Sequence, residues 1–184
     1  MSATLPAAPT HVRYRMLFLL CLLAMITYLD RAMYGSAKGD LMAAVGQPEK
    51  RFYLVLFAFQ IAYALFEIPA GWMGDRFGPR VTLLRVVGWF SLFVGLTAFA
   101  GMAVPGTEIV VIGFGVLVGM QFLFGIGEAG AFPNISKAIY NWFPEDKRGS
   151  AKGLVWMSAR LMGGLTHFVW VLLVVIAGLS WRQA

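Results

Sequence analysis

Four ionisable residues lie within stretches of the sequence that are otherwise strongly apolar. Asp30 and Arg31 are adjacent in the first stretch, Glu128 lies in the fourth and Arg160 in the fifth. A charged side chain at the centre of a bilayer costs about 2.5–3.5 kcal/mol even on lenient insertion scales, so such residues face a bundle interior or a water-filled cavity. An arginine offers a planar fork for carboxylate or phosphate. A carboxyl group in the same cavity can load and release a proton. The predicted chemistry is therefore anion binding together with proton exchange.

Polar residues recur at helical spacing around these charges. The residues of each stripe fall on one helix face, since positions three, four and seven apart share a face. Asp30 and Arg31 point about 100° apart and do not pair with each other. The four polar stripes predict one common water-filled cavity. For Asp30 and Glu67, the alternative to a role in transport is a structural ion pair that holds two helices together. The stripes are Thr27–Arg31–Tyr34–Lys38, Gln60–Tyr63–Glu67, Gln121–Gly125–Glu128 and Trp156–Arg160–Gly164–His167.

Long apolar segments position these residues. Apolar residues make up 59% of the 184 residues and charged residues only 13%, about half of the usual share of roughly 25%. A helix needs about 20 apolar residues to cross the hydrocarbon core. The sequence therefore predicts an all-α integral membrane protein with five transmembrane helices, the fourth of them interrupted by Pro133. The predicted helices span residues 16–36, 52–73, 81–103, 109–140 and 153–179.

The distribution of basic residues predicts the orientation in the membrane. The net charge is +6, and seven of the fifteen arginines and lysines lie at the N-terminal flank and in the connections that follow the second and fourth segments. The connection after the first segment carries three, and that after the third carries none. Connections rich in Lys and Arg stay in the cytoplasm. We therefore expect a cytoplasmic N-terminus in the inner or plasma membrane. The basic residues are not grouped with exposed aromatics as in nucleic-acid binding, so no nucleic-acid partner is expected.

The connection after the second segment carries the most specific motif. Residues 71–80 read GWMGDRFGPR, which resembles the G-x-x-x-D-R-x-G-R-R/K signature of the major facilitator superfamily, with Pro79 as a departure. Glycine at the helix end allows close packing, and Gly78 permits a tight turn. The resemblance implies that this loop locks one face of a transporter against its other half. The gating candidates that it implies are Gly71, Gly74, Asp75, Arg76, Gly78 and Arg80.

Three further motifs resemble the anion:cation symporter family, which includes hexuronate, glucarate, galactonate and sialin-like carriers. They are YLDR at 28–31, GIGEAGAFPN at 125–134, and WFP at 142–144 followed by KRG at 147–149. The resemblance implies that Arg31 contacts the acidic group of a substrate, that Tyr28 and Tyr63 line the pocket, and that Asp30 and Glu128 couple protons. Gln121 and Arg160 depart from the family pattern, and we expect both to contribute to substrate binding.

The resemblance also implies a fold of twelve helices in two halves, each built from inverted three-helix repeats. We expect residues 1–13 to form a disordered cytoplasmic tail and residues 14–184 to form an incomplete N-terminal half with five helices. The expected partners are a small organic anion, protons, the lipid bilayer and a C-terminal half that the chain lacks, which makes the chain a fragment. The function implied is proton-coupled symport by alternating access.

Other functions stay open at this point. An exchanger of organic phosphates would use the arginines without protons, and a receptor or assembly protein derived from a transporter would not transport at all. An enzyme is disfavoured because no nucleophile, base and orienting group occur at suggestive spacing. No cofactor is expected, and the single cysteine, Cys21, excludes an internal disulfide and a cysteine-cluster metal site.

Overall fold

The computed structural model describes residues 10–102 and 112–183, and these form a bundle of α-helices. Five of the helical stretches within them are long and apolar enough to cross a membrane, as predicted. A short helix and a 3-10 turn at Glu49–Arg51 lie between the first two spans. The helices are α1 (Thr10–Ser36), α2 (Lys38–Ala44), α3 (Phe52–Phe77), α4 (Pro79–Thr97), α5 (Phe114–Glu128), α6 (Ala131–Trp142) and α7 (Glu145–Trp170).

Several helix ends differ from the predicted ones. Helix α1 begins at Thr10, so the predicted tail is helical over residues 10–13, and residues 1–9 lie outside the described part. Helix α3 begins at Phe52 as predicted but continues to Phe77, and α4 ends at Thr97 rather than at 103. The residues added at the start of α1 and at the end of α3 are polar helix ends that extend beyond the hydrocarbon-spanning run, whereas α4 ends within its apolar run.

The fourth predicted segment consists of two helices, α5 and α6, separated at Ala129 and Gly130. Its predicted beginning, residues 109–111, lies outside the described residues. Pro133 lies in the first turn of α6 rather than at the interruption itself. The proline ring crowds the carbonyl four residues earlier, which belongs to Ala129, and this explains why the helix is interrupted before the proline.

The fifth span begins at Glu145, eight residues before the predicted start, and ends in a π-helical turn at Val171–Ile176. Lys147, Arg148 and Lys152, which the sequence placed in a connection, therefore lie in the first turns of α7. Arg148 donates hydrogen bonds to the carbonyls of Phe143 (3.0 Å) and Tyr140 (3.2 Å) at the end of α6. Arg148, in the first turn of α7, thus satisfies carbonyls at the C-terminal end of α6.

Two helix pairs form the centre of the bundle: α1 packs along α7, and α3 packs along α5, with α4 against the outer face of α5. Gly125 makes the second contact possible, because a Cβ there would lie 2.5 Å from the backbone oxygen of Phe59. Small residues allow helices to approach closely in membranes. Large apolar side chains such as Ile68 (82% exposed) and Phe168 (74% exposed) point outward, which suits lipid or further helices.

Candidate functional site

A buried ion pair joins α1 and α5. The Nε of Arg31 donates a hydrogen bond to Oε1 of Glu128 over 2.8 Å. The Glu128 side chain is 1% exposed and that of Arg31 is 25% exposed, so the carboxylate is fully inside the bundle while the guanidinium reaches its edge. A charge-assisted pair of this kind is strong when it is removed from water. The sequence identified both residues, and the structure shows that they contact each other.

Aromatic rings surround the guanidinium of Arg31. Its Cζ atom lies 4.5 Å from the ring centroid of Tyr63, 5.0 Å from that of Phe59 and 5.7 Å from that of Tyr28. Rings at these distances stabilise a cation through their π faces. Tyr28 and Tyr63 were expected here from the resemblance. Phe59 was missed, although it precedes Tyr63 by four residues and therefore lies on the same face of α3.

The pair leaves hydrogen-bonding capacity unused. Within the described residues, neither Nη2 of Arg31 nor Oε2 of Glu128 has a partner, and both atoms are buried. Buried polar atoms are nearly always satisfied, and exceptions often mark functional sites. The guanidinium of Arg31 therefore keeps an N–H donor that the oxygen of a second acidic group can accept.

A cavity of about 200 Å³ opens beside the guanidinium. It lies between α1, α3 and α5, and it contains Gln121, whose side chain is buried, and Gln60. Of the predicted binding residues, Arg31 and Gln121 line this cavity, whereas Tyr28 and Tyr63 lie against the guanidinium of Arg31 without lining it. The cavity is lined by Arg31, Tyr34, Leu56, Phe59, Gln60, Gln121 and Phe124.

Asp30 does not line this cavity. It faces a separate cavity of about 150 Å³, which lies between α1, the end of α4 and the segment after α7. Tyr34 lines both cavities, and its hydroxyl shares a 2.6 Å hydrogen bond with the hydroxyl of Thr97. Arg182 lines the same cavity as Asp30 but donates to the carbonyls of Ala98 and Ala100. Adjacent residues on a helix point in different directions, as the sequence predicted for Asp30 and Arg31.

Arg160 also lies outside the cavity beside Arg31. Its side chain is exposed on α7, with Cζ 5.9 Å from the ring of Trp156. Trp156 stacks on Phe132 at 4.5 Å, and Phe132 meets Tyr28 edge to face at 5.9 Å. A row of three aromatic rings therefore connects the surroundings of the two arginines. Phe132 and Trp156 were present in the sequence motifs but were not assigned to the site.

The motif at 71–80 connects α3 to α4. Gly78 has φ of +85°, which favours glycine at the turn, and a Cβ on Gly74 would overlap the side chain of Asn134. Asn134 donates to the carbonyls of Ala70 (3.2 Å) and Gly130 (2.7 Å), so it holds α6 against α3. The sequence predicted close helix packing at Gly71. In the structure the neighbouring helix comes closer at Gly74 than at Gly71.

The charged residues of this motif lie on the surface. Nζ of Lys137, on α6, forms a 2.7 Å salt bridge with Oδ1 of Asp75. The guanidinium of Arg76 lies over the rings of Trp72 and Phe77. Arg80 is exposed in the first turn of α4. Lys137 was not predicted as a partner, since the pairing depends on how α6 packs.

Among residues 10–102 and 112–183, no group of three or more His, Cys, Asp or Glu side chains is arranged to hold a metal ion. The candidate site consists of an arginine, a carboxyl, amides and aromatic rings.

Ionisable residues inside a bundle of membrane-spanning helices are rare, and they commonly mark the path of a substrate or an ion. The chain belongs to the Major Facilitator Superfamily, whose profile matches residues 20–184. It is a multi-pass membrane protein, and the resemblance inferred from the motifs is confirmed.

Its relatives have names that refer to organic acids. The chain is 35% identical over 172 residues to a probable sulfoacetate transporter of Cupriavidus necator, covering 94% of this chain and 37% of that protein. It is 30% identical over 188 residues to a probable galactarate/D-glucarate transporter of Bacillus subtilis (97% and 40% covered). It is 33% identical over 177 residues to a D-galactonate transporter of Escherichia coli (96% and 38% covered). The chain thus spans well under half the length of these relatives.

Proposed function

We propose that the chain is the front part of a proton-coupled symporter for small organic anions, embedded in the cell membrane with its N-terminus in the cytoplasm. The observation that carries this proposal is the buried pair of Arg31 and Glu128, which has one unused donor and one unused acceptor beside a cavity. The relatives, named for sulfoacetate, galactarate, glucarate and galactonate, support a small organic acid as the substrate.

The pair explains how proton and anion binding are coupled. When Glu128 is ionised, it holds the guanidinium of Arg31 and competes with an incoming anion. A proton on Glu128 removes this competition, so Arg31 can pair with the acidic group of the substrate. Tyr28, Tyr63 and Gln121 then complete the contacts around that group. Each ligand strengthens binding of the other, which is the thermodynamic requirement of symport.

Asp30 acts as a second proton-coupling carboxyl from the opposite side of α1. Its cavity is separate from that of Arg31, and Tyr34 lies between the two. Because α1 carries both residues, a change of charge at Asp30 alters the position of the helix that holds Arg31. Proton binding therefore biases the equilibrium between inward-open and outward-open states.

The motif between α3 and α4 serves as the gate. Asp75, Arg76 and Arg80 are exposed at the end that the basic residues assign to the cytoplasm, where a second half of the protein can contact them. Gly74 gives the helix end its close packing and Gly78 gives the turn its shape, and a Cβ on Gly71 would lie 3.5 Å from Pro133. When this face closes, the carboxylate of Asp75 either leaves Lys137 or binds Lys137 and the other half of the protein at the same time.

Proteoliposomes containing the complete reading frame that includes this chain test the proposal. Glu128→Gln keeps the size of the side chain but cannot exchange a proton, so it should abolish uptake driven by a proton gradient and spare exchange of anion for anion. Glu145→Gln, an exposed carboxyl in the first turn of α7, is the matched control and should leave both activities unchanged.

The other outcomes identify the alternatives. An exchanger of organic phosphates would retain exchange in both variants and show no proton-driven uptake in the unaltered protein. A receptor or assembly protein would show no saturable flux of any anion. The 184-residue chain alone is expected to show no flux, because alternating access in this fold takes place between two halves.

A further inference from the structure

Arg85, on α4, is another arginine inside the bundle, and the proposed function gives it no role. It lies about 9 Å along the helix from Pro79, and its side chain is only partly exposed. None of the three salt bridges among the described residues involves it. Its Nε and Nη2 atoms are buried without a hydrogen-bond partner in that part of the chain, and Nη1 reaches only the sulfur of Met73 over 3.6 Å. Such exceptions often mark functional sites.

Helix α4 contacts both sides of the break between α5 and α6. On the α5 side, Nε1 of Trp89 donates a 2.8 Å hydrogen bond to the carbonyl of Leu123, and a Cβ on Gly127 would overlap the indole ring. On the α6 side, a Cβ on Gly130 would lie 3.5 Å from Nη2 of Arg85. Arg85 and Trp89 are four residues apart and therefore share a face of α4. Together they hold the two ends of the break against a third helix.

The break contains a backbone carbonyl that lacks its helical donor. Pro133 has no N–H, so the carbonyl of Ala129 cannot receive the usual hydrogen bond from the residue four positions later. Ala129 is fully buried, and the next carbonyl, that of Gly130, already accepts a 2.7 Å hydrogen bond from Asn134. Inside a membrane, a neighbouring helix commonly satisfies a carbonyl freed in this way. The unused N–H groups of Arg85 lie beside Gly130, the residue that directly follows this carbonyl.

Building on the proposed function, we infer that Arg85 is a positioning residue for Glu128. Glu128 is the last residue of α5 and directly precedes the break, so a change in the angle between α5 and α6 moves its carboxylate relative to Arg31. When α6 moves during alternating access, the free N–H groups of Arg85 bind the carbonyl of Ala129 and stabilise the second arrangement of the break. In the arrangement of this structure these groups are unused, and Arg85 does not line the cavity beside Arg31.

A side chain of similar length without N–H donors tests the inference. The complete reading frame is reconstituted in proteoliposomes, and proton-driven uptake of sulfoacetate, galactarate and galactonate is measured in the unaltered protein, in Arg85→Met and in Arg85→Lys. Arg85→Met should lower kcat about tenfold or more, which corresponds to the loss of one hydrogen bond from a charged donor. It should change KM less than about twofold, because Arg85 lies outside the cavity. Arg85→Lys should retain part of the rate, since it keeps a charged donor.

Two further measurements separate this role from a structural one. Because the donors are unused in this structure and an apolar side chain tolerates burial better than an unpaired charge, Arg85→Met should leave the unfolding temperature in detergent unchanged or raise it. Exchange of anion for anion should slow as much as proton-driven uptake, since both require alternating access, whereas Glu128→Gln is expected to spare exchange. Lys152→Met, at an exposed position on α7, is the matched control and should change neither rate nor stability.

Pro133→Ala tests the proposed contact with the backbone. The alanine returns an N–H donor to the carbonyl of Ala129, so that carbonyl no longer depends on Arg85. Arg85→Met should therefore slow uptake much less in the Pro133→Ala background than in the unaltered protein, which is the non-additivity expected of residues that serve one group.

The results distinguish failure of this inference from failure of the proposed function. An unchanged kcat in Arg85→Met overturns the inference and leaves the proposed function intact. A loss of kcat that accompanies a lower unfolding temperature, an effect on KM alone, or equal slowing with and without Pro133 has the same meaning. Absence of uptake of all three acids by the unaltered protein overturns the proposed function, and the inference with it.

Discussion

The hydrogen bond from Nε of Arg31 to Oε1 of Glu128 joins two residues that are 97 positions apart in the sequence. It connects α1 to α5, the first and fourth membrane spans, which are equivalent elements in a fold built of inverted three-helix repeats. Arg31 lines the cavity and Glu128 is fully buried behind it, and the two equivalent helices thus supply the two partners of one ion pair. The pair is both a structural contact and the centre of the proposed binding site.

Removal of one partner of this pair should destabilise the bundle more than removal of both. Arg31→Gln leaves a buried carboxylate without its counter-charge and Glu128→Gln leaves the guanidinium without one, each at a cost of up to about 3–5 kcal/mol. The double variant leaves two neutral amides that can bond to each other. Thermal unfolding of the purified protein in detergent, followed through tryptophan fluorescence, measures the coupling in a double-mutant cycle. Additive losses would show that the two residues do not interact.

Gly74→Ala should lower stability because the added Cβ overlaps the side chain of Asn134. Overpacking of this kind typically costs about 1–3 kcal/mol. Gly88→Ala is the matched control, since a Cβ at that position in α4 meets nothing within 4 Å, and it should be neutral or slightly stabilising. Asn134→Ala in the Gly74→Ala background should recover part of the loss by removing the overlap. Equal unfolding temperatures for the two alanine variants would contradict this packing.

The salt bridge between Lys137 and Asp75 should contribute little to stability. The two side chains are 40% and 62% exposed, and exposed pairs contribute less than about 1 kcal/mol. Asp75→Asn should nevertheless reduce the rate of uptake by about tenfold or more, because the proposed gate needs this carboxylate. Lys137→Gln should reduce it much less. If both variants reduced uptake equally, the role of Asp75 would lie in its pair with Lys137 rather than in a contact with the other half.

The orientation predicted from the basic residues can be tested with two lysines replaced by cysteine. In a Cys21→Ser background, Lys147→Cys places a thiol at the start of α7, and Lys50→Cys places one in the 3-10 turn before α3, both at exposed positions. A membrane-impermeant maleimide should label Lys50→Cys in intact cells and Lys147→Cys only after the membrane is permeabilised. The reverse pattern would place the N-terminus outside.

Much of this protein follows from local properties of the sequence. The five spans depend on the length and hydropathy of each segment, and the charged residues within them are recognisable because they are so costly in lipid. Helical spacing alone places Asp30 and Arg31 in different directions and Gln60 and Tyr63 on one face. The turn at Gly78 is likewise a local requirement for a positive φ angle.

Other features depend on contacts between distant segments. Helical spacing does not determine which residue opposes Arg31, so the pair with Glu128 appears only when α1 and α5 pack together. The same holds for Lys137 with Asp75 and for Phe132 between Tyr28 and Trp156. The sequence placed Asp30 and Arg160 in one cavity with Arg31, whereas the fold separates them. The sequence determined which residues could carry charge into the membrane, and only the packing of the helices decided which of those charges meet.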